Sequence, residues 1–96
     1  MVWHGILKSN NGNKYEIAIQ YPNDFPNSAP KAFILKPIMS NVPHMWQDGS
    51  LCLFAPFDRV WDNKTTAATM VTWVAVWIFA YEIWNNTGKW PRKSVD

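Results

Sequence analysis

The chain has 96 residues, which fits one small domain spanning residues 1–96. Its nine basic and seven acidic residues give a net charge of +2 and are scattered, which argues against a nucleic-acid partner. The one cysteine cannot form an internal disulfide, and the N-terminus lacks the charged start and apolar stretch of a signal peptide. We therefore expect a cytoplasmic protein, with many of its aromatic side chains buried in a core or an interface.

The first third of the chain predicts a β-hairpin. Residues 2–7 are rich in apolar side chains, and Asn11-Gly12 after them predicts a type I′ turn, in which both central residues need positive φ. Residues 15–21, YEIAIQY, alternate between apolar and polar, which predicts a half-buried strand. The side chains expected to share its inner face are Tyr15, Ile17, Ile19 and Tyr21.

A proline-rich segment and a third strand follow. Residues 21–30, YPNDFPNSAP, exclude a helix and a central strand, so we expect an ordered loop with Phe25 turned inward. The next run, KAFILK, predicts a strand that ends at Pro37, and the three strands together predict an antiparallel meander. Residues 38–63 show no regular period, and long ordered loops of this kind are often functional.

From Lys64 onward the pattern becomes helical, and Gly88 is the expected stop. Two pairs offer N-cap candidates, Asp62-Asn63 and Thr65-Thr66. Residues 67–81 carry no charge, but this run of about fifteen residues is shorter than the roughly twenty that cross a membrane. We therefore expect a buried helix and no membrane partner, with residues 88–96 as a C-terminal tail.

Apolar residues recur in this segment at spacings of three and four, which predicts one apolar helix face. Its members are Met70, Trp73, Trp77, Tyr81 and Trp84. The opposite face is also apolar, at Val71, Ala75 and Ile78, so the helix is expected to be covered on two sides. The Trp stripe is best explained as core against the sheet, whereas Trp90, beyond the helix, is the better interface candidate.

The residues that could bind a metal are few. They are His4, His44 and Cys52, whereas a structural zinc site usually has four ligands in closely spaced pairs. No Gly-rich phosphate loop or paired-carboxylate cluster occurs either, so we expect no metal and no cofactor. A cysteine hydrolase would need Cys52, His44 and an orienting residue brought together, but no local signature of such an enzyme surrounds them.

Cys52 has two interpretations on its local sequence. A free cysteine usually packs as a small hydrophobe, and the flanking Leu51 and Leu53 favour that interpretation. The Asp48-Gly49-Ser50 sequence before it and Pro56 after it favour an exposed loop instead.

The order of these segments is more informative than any one of them. The meander is followed by the proline-rich segment, then Pro43-His44, then GSLCL at residues 49–53, then Trp61 and the helix. In the proline-rich segment the informative residues are Tyr21-Pro22, Phe25-Pro26 and Pro30. This order resembles the ubiquitin-conjugating enzyme family, in which a meander and a proline-rich segment precede a His-Pro-Asn motif, the segment with the catalytic cysteine, a Trp and the central helix.

Further residues make the chain similar to the small prokaryotic branch of that family. They are Trp3-His4-Gly5-Ile6-Leu7, His44, Asp48-Gly49, Trp73, Trp77, Tyr81-Glu82, Trp84, Thr87-Gly88 and Trp90. Several such proteins are encoded in bacterial antiphage operons, beside a cGAS-like synthase of cyclic oligonucleotides and sometimes an adenylating protein. The resemblance implies an α+β fold, in which an antiparallel β-meander packs on a long central helix with a reduced set of flanking helices. The helix surface thereby left bare implies a partner or a self-association surface.

The resemblance also implies a reaction, in the setting of bacterial antiphage defence. Cys52 would carry a ubiquitin-like protein or an activated C-terminal glycine as a thioester and pass it to an amine. His44 would order the loop or help to deprotonate the attacking group. The implied partners are a ubiquitin-like protein or the C-terminus of a cGAS-like nucleotidyltransferase, together with an adenylating activating enzyme.

The chain departs from the family pattern beside His44. Met45-Trp46 occupies the place of Pro-Asn, and the interval from His44 to Cys52 is shorter by about two residues. The Asn of that motif is thought to stabilise the oxyanion or the loop, and His44, a backbone N–H or Asn41 could replace it. The departure favours a second hypothesis, a non-catalytic interaction module of the same fold, whereas the retained GSLCL segment disfavours it.

Overall fold

The computed structural model describes residues 1–53 and 64–91. Their strands are β1 (Val2–Lys8), β2 (Lys14–Gln20) and β3 (Lys31–Lys36), and their one helix is α1 (Ala67–Thr87). The strands form an antiparallel sheet in the order β1-β2-β3, and α1 lies across one face of it, closest to β2. The predicted α+β architecture, a meander packed on a long helix, is confirmed.

The predicted hairpin joins β1 and β2, but the predicted type of turn is wrong. Gly12 has a positive φ of 87°, whereas Asn11 does not have the positive φ that a type I′ turn needs. The Ser9 N–H donates to the Asn13 carbonyl at 2.8 Å, and the Gly12 N–H donates to the Ser9 carbonyl at 2.9 Å. These bonds close a three-residue loop with Gly in the left-handed position, so one residue with positive φ is enough.

The core lies between β2 and α1. The predicted inner face of β2 is confirmed, because Tyr15, Ile17 and Ile19 are buried against the helix. Tyr21, just beyond the strand, is half-buried and packs edge-on against Phe25 at 4.9 Å between ring centroids. Phe25 is therefore turned inward, as the sequence predicts.

Both predicted ends of α1 are confirmed. Thr66 is the N-cap, and its hydroxyl accepts a hydrogen bond from the Thr69 N–H at 3.3 Å. Gly88 is the C-cap, with a left-handed φ of 79°, and its N–H donates to the Trp84 carbonyl at 2.7 Å. The alternative N-cap pair Asp62-Asn63 and the predicted pre-helix Trp61 lie outside the described residues.

The buried side of α1 differs from the predicted stripe. The buried residues of the helix are Met70, Val74, Trp77, Ile78, Ala80 and Glu82. The other Trp and Tyr side chains of the predicted stripe, Trp73, Tyr81 and Trp84, are half-buried at its border. The predicted place of Ile78 on the opposite face is wrong. Ile78 is four residues after Val74, so it lies on the same side of the helix as Val74, facing the sheet. The second apolar side, expected to be covered, is open to solvent at Ala75, Val76 and Phe79.

Among the described residues, α1 alone has the length and composition of a membrane span. The helix continues beyond the roughly fifteen uncharged residues to Thr87, so its length by itself does not exclude a membrane span. A mostly buried core helix of a soluble protein passes the same test, whereas 33% of the apolar stretch of α1 is buried. Met70 and Val74 are fully buried against the sheet, which favours a core helix.

A buried carboxylate joins α1 to the β1–β2 loop. The Glu82 side chain accepts hydrogen bonds from Asn11 at 2.8 Å, from Asn13 at 2.9 Å and from the Tyr15 hydroxyl at 2.6 Å. Burial raises the pKa of Glu82, but the hydrogen bonds lower it by more, so the carboxylate form is favoured in the folded protein. Burial and the bond to Glu82 raise the pKa of Tyr15. No local sequence pattern predicts this network, because it joins residues about 70 positions apart.

The lowered pKa of Glu82 predicts a loss of stability in acid. The carboxylate contributes to the free energy of unfolding above the unfolded pKa of about 4.3, and the contribution is lost as pH falls through the folded pKa. Glu82→Gln lacks this contribution and places an amide N–H against the Asn and Tyr donors. We expect Tm at neutral pH to fall by about 5–15 °C, with a shallower decline between about pH 6 and pH 3.

Thermal unfolding followed by circular dichroism across that pH range measures both effects. Glu16→Gln, on the opposite face of β2, is the matched control and should keep the steep wild-type decline. Equal slopes in the wild type and Glu82→Gln would contradict the assignment.

Candidate functional site

The loop that leads to Cys52 is ordered by the edge of β3. Ser50 pairs with Phe33 and Leu51 pairs with Met45 in isolated antiparallel bridges. The Leu51 N–H donates to the Ala32 carbonyl of β3 at 2.9 Å. The described part of the predicted aperiodic stretch, residues 38–53, therefore takes its order from tertiary contacts, and residues 54–63 lie outside the described residues.

Asp48 caps the tight turn that precedes Cys52. One carboxylate oxygen accepts hydrogen bonds from the Ser50 N–H at 2.9 Å and the Ser50 hydroxyl at 2.6 Å, and the other accepts from Lys31 at 2.7 Å. The bonds from Lys31 and Ser50 hold the pKa of Asp48 well below its usual range. Gly49, between the two residues, has a positive φ of 89°, a conformation that glycine adopts without strain. Asp48 therefore links the turn to β3.

Cys52 is buried at the end of this turn, with 7% of its surface exposed. Its N–H donates to the His44 carbonyl at 2.9 Å. The interpretation of this position as an exposed loop is wrong for the described conformation, because Ser50 and Leu51 carry the chain inward against β3. Pro56, used in that interpretation, lies outside the described residues.

His44 connects the cysteine segment to the central helix. Its carbonyl accepts the Cys52 N–H and also the indole N–H of Trp77, at 3.1 Å. Its φ of 62° is left-handed, a conformation in which His is enriched several-fold among non-glycine residues. The structure thus brings the two predicted site residues together through the backbone.

The His44 ring packs against Trp90, with centroids 4.5 Å apart, and Trp90 packs edge-on against Trp77 at 5.6 Å. Trp77 in turn stacks on Tyr81 at 5.6 Å, with the rings nearly parallel. Trp90, predicted as an interface residue, is instead half-buried and helps to hold the His44 ring. The sequence could not show this, because the contact needs the chain to turn back after Gly88.

The family's His-Pro-Asn motif has an Asn that this chain lacks, and Asn41 and the backbone N–H groups near Cys52 are candidates for its role. Asn41 is exposed, with a left-handed φ of 57°. The backbone N–H groups of Cys52 and Leu53 already donate, to His44 and to Leu51 at 3.0 Å. Neither amide can therefore serve an oxyanion in this conformation without giving up its present partner.

Residues 1–53 and 64–91 contain no group of three or more His, Cys, Asp or Glu that could hold a metal ion. The contacts that hold the Cys52 segment include the backbone hydrogen bond to His44, the ring contact of His44 with Trp90 and the Asp48 cap. This arrangement can hold a thiol in a defined place.

A comparison with protein-family models gives one match, E2-CBASS, described as "Type II CBASS E2 protein", over residues 1–96. The chain belongs to this family. The predicted resemblance to the small prokaryotic branch found in antiphage operons is confirmed, and the chain is an E2-like protein of CBASS antiphage systems. No curated protein and no solved structure matches the chain.

The Asp48 cap predicts unequal effects for its two partners. Asp48→Ala leaves the buried Ser50 N–H and hydroxyl without their acceptor, so we expect the free energy of unfolding to fall by about 1–3 kcal/mol. Lys31→Met removes only a solvent-exposed ion pair and should cost less than about 1 kcal/mol. Urea unfolding of the two variants measures the difference, and equal losses would contradict the role assigned to Asp48.

The shared acceptor at His44 predicts a local effect of Trp77→Phe. Because this variant removes the indole N–H, we expect the Cys52 amide to exchange about three to ten times faster than the change in global stability explains. Trp84→Phe is the control, since Trp84 contacts Tyr81 further along α1. Hydrogen exchange followed by NMR measures both, and equal changes in the two variants would contradict the link.

Proposed function

We propose that this protein is a ubiquitin-conjugating-like transferase that carries an acyl group as a thioester on Cys52. The observation that supports this best is the position of the chain's one cysteine in an E2-like family member. Cys52 follows the turn capped by Asp48, and its N–H shares the His44 carbonyl with the indole N–H of Trp77 on α1. A thiol that exchanges acyl groups needs such a defined position.

The proposed reaction has two steps. The Cys52 sulfur attacks the carbonyl carbon of an activated C-terminal glycine, forming a new thioester and releasing the carrier's thiol, or AMP if the donor is an adenylate. An amine then attacks the thioester, forms an amide bond and releases the Cys52 thiol, with the proton of the amine passing to the leaving sulfur. Each step exchanges one acyl bond for another and needs no oxidant or metal.

We assign His44 a positioning role in this reaction. Its carbonyl is used by Cys52 and Trp77, and its ring is packed against Trp90. Both contacts support loop ordering, which was the simpler of the two roles predicted from the sequence. The burial of Cys52 adds a condition, because attack on a protein C-terminus requires a local movement that uncovers the sulfur.

The CBASS family supports partners encoded in the same system. We propose a ubiquitin-like protein or the C-terminus of a cGAS-like nucleotidyltransferase as the donated group, and an adenylating activating enzyme as its source. We place the reaction in the cytoplasm and expect neither nucleic acid nor membrane to take part.

A non-catalytic interaction module is the second candidate. It is favoured by the burial of Cys52, which keeps the residue from a protein donor, and by Met45-Trp46 in the place of the Pro-Asn of the family motif. In this alternative Cys52 is a core residue, and the same fold binds its partners without exchanging an acyl group.

The transferase proposal is tested by trapping the intermediate. With an adenylating enzyme and a donor ending in glycine, the wild type should form an adduct that a reducing thiol removes. Cys52→Ser should form an oxyester that resists the thiol, and Cys52→Ala should form no adduct. Gel mobility and intact mass measure the three outcomes, with Tm of each variant as the control for folding.

Conjugation that persists in Cys52→Ala would overturn the proposal. Labelling with a bulky maleimide separates the two candidates further. The transferase should label slowly alone, because Cys52 is buried, and at least about ten-fold faster with the activating enzyme. An interaction module should stay protected in both conditions.

A further inference from the structure

β1 is an open edge of the sheet. Among the described residues it pairs with β2 alone, whereas the β3 edge is met by Ser50 and Leu51. Met1 and Tyr21 exchange two backbone hydrogen bonds, and the Ser9 N–H donates to the Asn13 carbonyl. The backbone N–H and C=O groups of the odd-numbered residues of β1 therefore point toward β2. By the alternation of an antiparallel ladder, the backbone groups of the even-numbered residues point outward. These residues are Val2, His4, Ile6 and Lys8.

This edge lacks the features that usually protect one. β1 contains no proline, its register with β2 runs without a bulge, and its only charged side chain is the terminal Lys8. Ile6 is 70% exposed, and Val2 and Trp3 are also exposed. A seven-residue apolar edge of this kind is a template for pairing with another strand.

The open side of α1 lies above the same edge. A groove of about 270 Å³ runs between the end of β1, at Leu7 and Lys8, and the helix residues Ala75, Ile78 and Phe79. Phe79 is 56% exposed. The Cys52 site lies on the other side of the helix, where Trp77 meets His44. The unpaired strand and the uncovered apolar side therefore share one flank of the molecule.

We propose that this flank binds a second copy of the chain, with the two β1 strands pairing antiparallel about a two-fold axis at Gly5. In this register Val2 lies opposite Lys8 of the second copy, and His4 lies opposite its Ile6. All of these residues have outward backbone groups, so each pair can exchange two hydrogen bonds. The two sheets become one six-stranded sheet.

The register is self-complementary, as a two-fold interface requires. Lys8 faces Val2 and not another charge, and Gly5 faces its own copy. The Trp3 ring lies over Gly5, in the space that a side chain would occupy. Trp3 would lie opposite Leu7 of the second copy on the helix side of the sheet. Glycine at the axis thus leaves room for two Trp rings.

One rotation covers both open features. A two-fold axis perpendicular to the sheet keeps both helices on the same face. If each helix lies over its own β2, the axes of the two helices are three strand spacings apart, roughly 14 Å. Helices in direct contact are closer, at roughly 8–10 Å, so large side chains must fill the interval. Phe79 and Trp3 are placed to do so, and both Cys52 sites stay on the outer flanks.

The oligomeric state of the purified chain tests this inference without any transfer assay, so it can fail independently of the proposed function. Light scattering across the micromolar range should show twice the chain mass of 11.1 kDa. Hydrogen exchange should show the His4 and Ile6 amides becoming protected as the dimer forms, since these amides point away from β2.

Two variants address the two parts of the surface. Ile6→Pro removes an outward N–H without removing a bond to β2, and Phe79→Lys places a charge on the open side of α1. Each should weaken the dimer at least about ten-fold with little change in monomer Tm. Ile38→Lys is the matched control, because Ile38 is 92% exposed in the loop after β3. This variant should dimerise as the wild type does.

Three results would overturn the inference. The first is a protein that stays monomeric at every concentration, whether or not the monomer binds lipid vesicles. The second is a dimer whose His4 and Ile6 amides exchange as fast as in the monomer. The third is a dimer that Ile38→Lys weakens as much as Phe79→Lys does.

Discussion

The carbonyl of His44 is the contact on which the candidate site depends. It accepts one hydrogen bond from the Cys52 N–H and one from the Trp77 indole, so the cysteine segment and the central helix share one acceptor. A carbonyl with two donors in place is costly to displace, because its partners would be left unsatisfied. The left-handed backbone of His44 aims this carbonyl, and Trp90 holds its ring.

The helix is fixed at a second point by Glu82. Its carboxylate binds the β1–β2 loop, so α1 is tied to the hairpin through Glu82 and to the cysteine loop through Trp77. Between these two anchors the sheet side of α1 packs on β2 through apolar contacts. Apolar burial supplies most of the driving force for this packing, whereas the two polar anchors select one placement of the helix.

The contacts around Cys52 and the proposed transfer reaction place opposite requirements on the exposure of its sulfur. The contacts that define the position of Cys52 also bury it, and an acyl carrier must expose its sulfur to two other molecules in turn. The Asp48 cap restrains the turn before Cys52, so the movement that the proposed transfer requires would occur around that turn or beyond it. An opening driven by a partner would let the family's E2-like fold protect the thiol between encounters.

The sequence by itself determined the strands, the ends of α1 and the family resemblance, because alternation, capping residues and segment order are local or linear properties. It named Thr65-Thr66 as one of two N-cap candidates and Gly88 as the stop, and it singled out Cys52 and His44, which the structure joins through a backbone hydrogen bond. It did not determine the burial of Cys52, the side of α1 that faces the sheet, or the place of Trp90. Those features depend on contacts between residues far apart in the chain, such as Trp77 with His44 and Glu82 with Asn11, and only the tertiary structure brings these groups together.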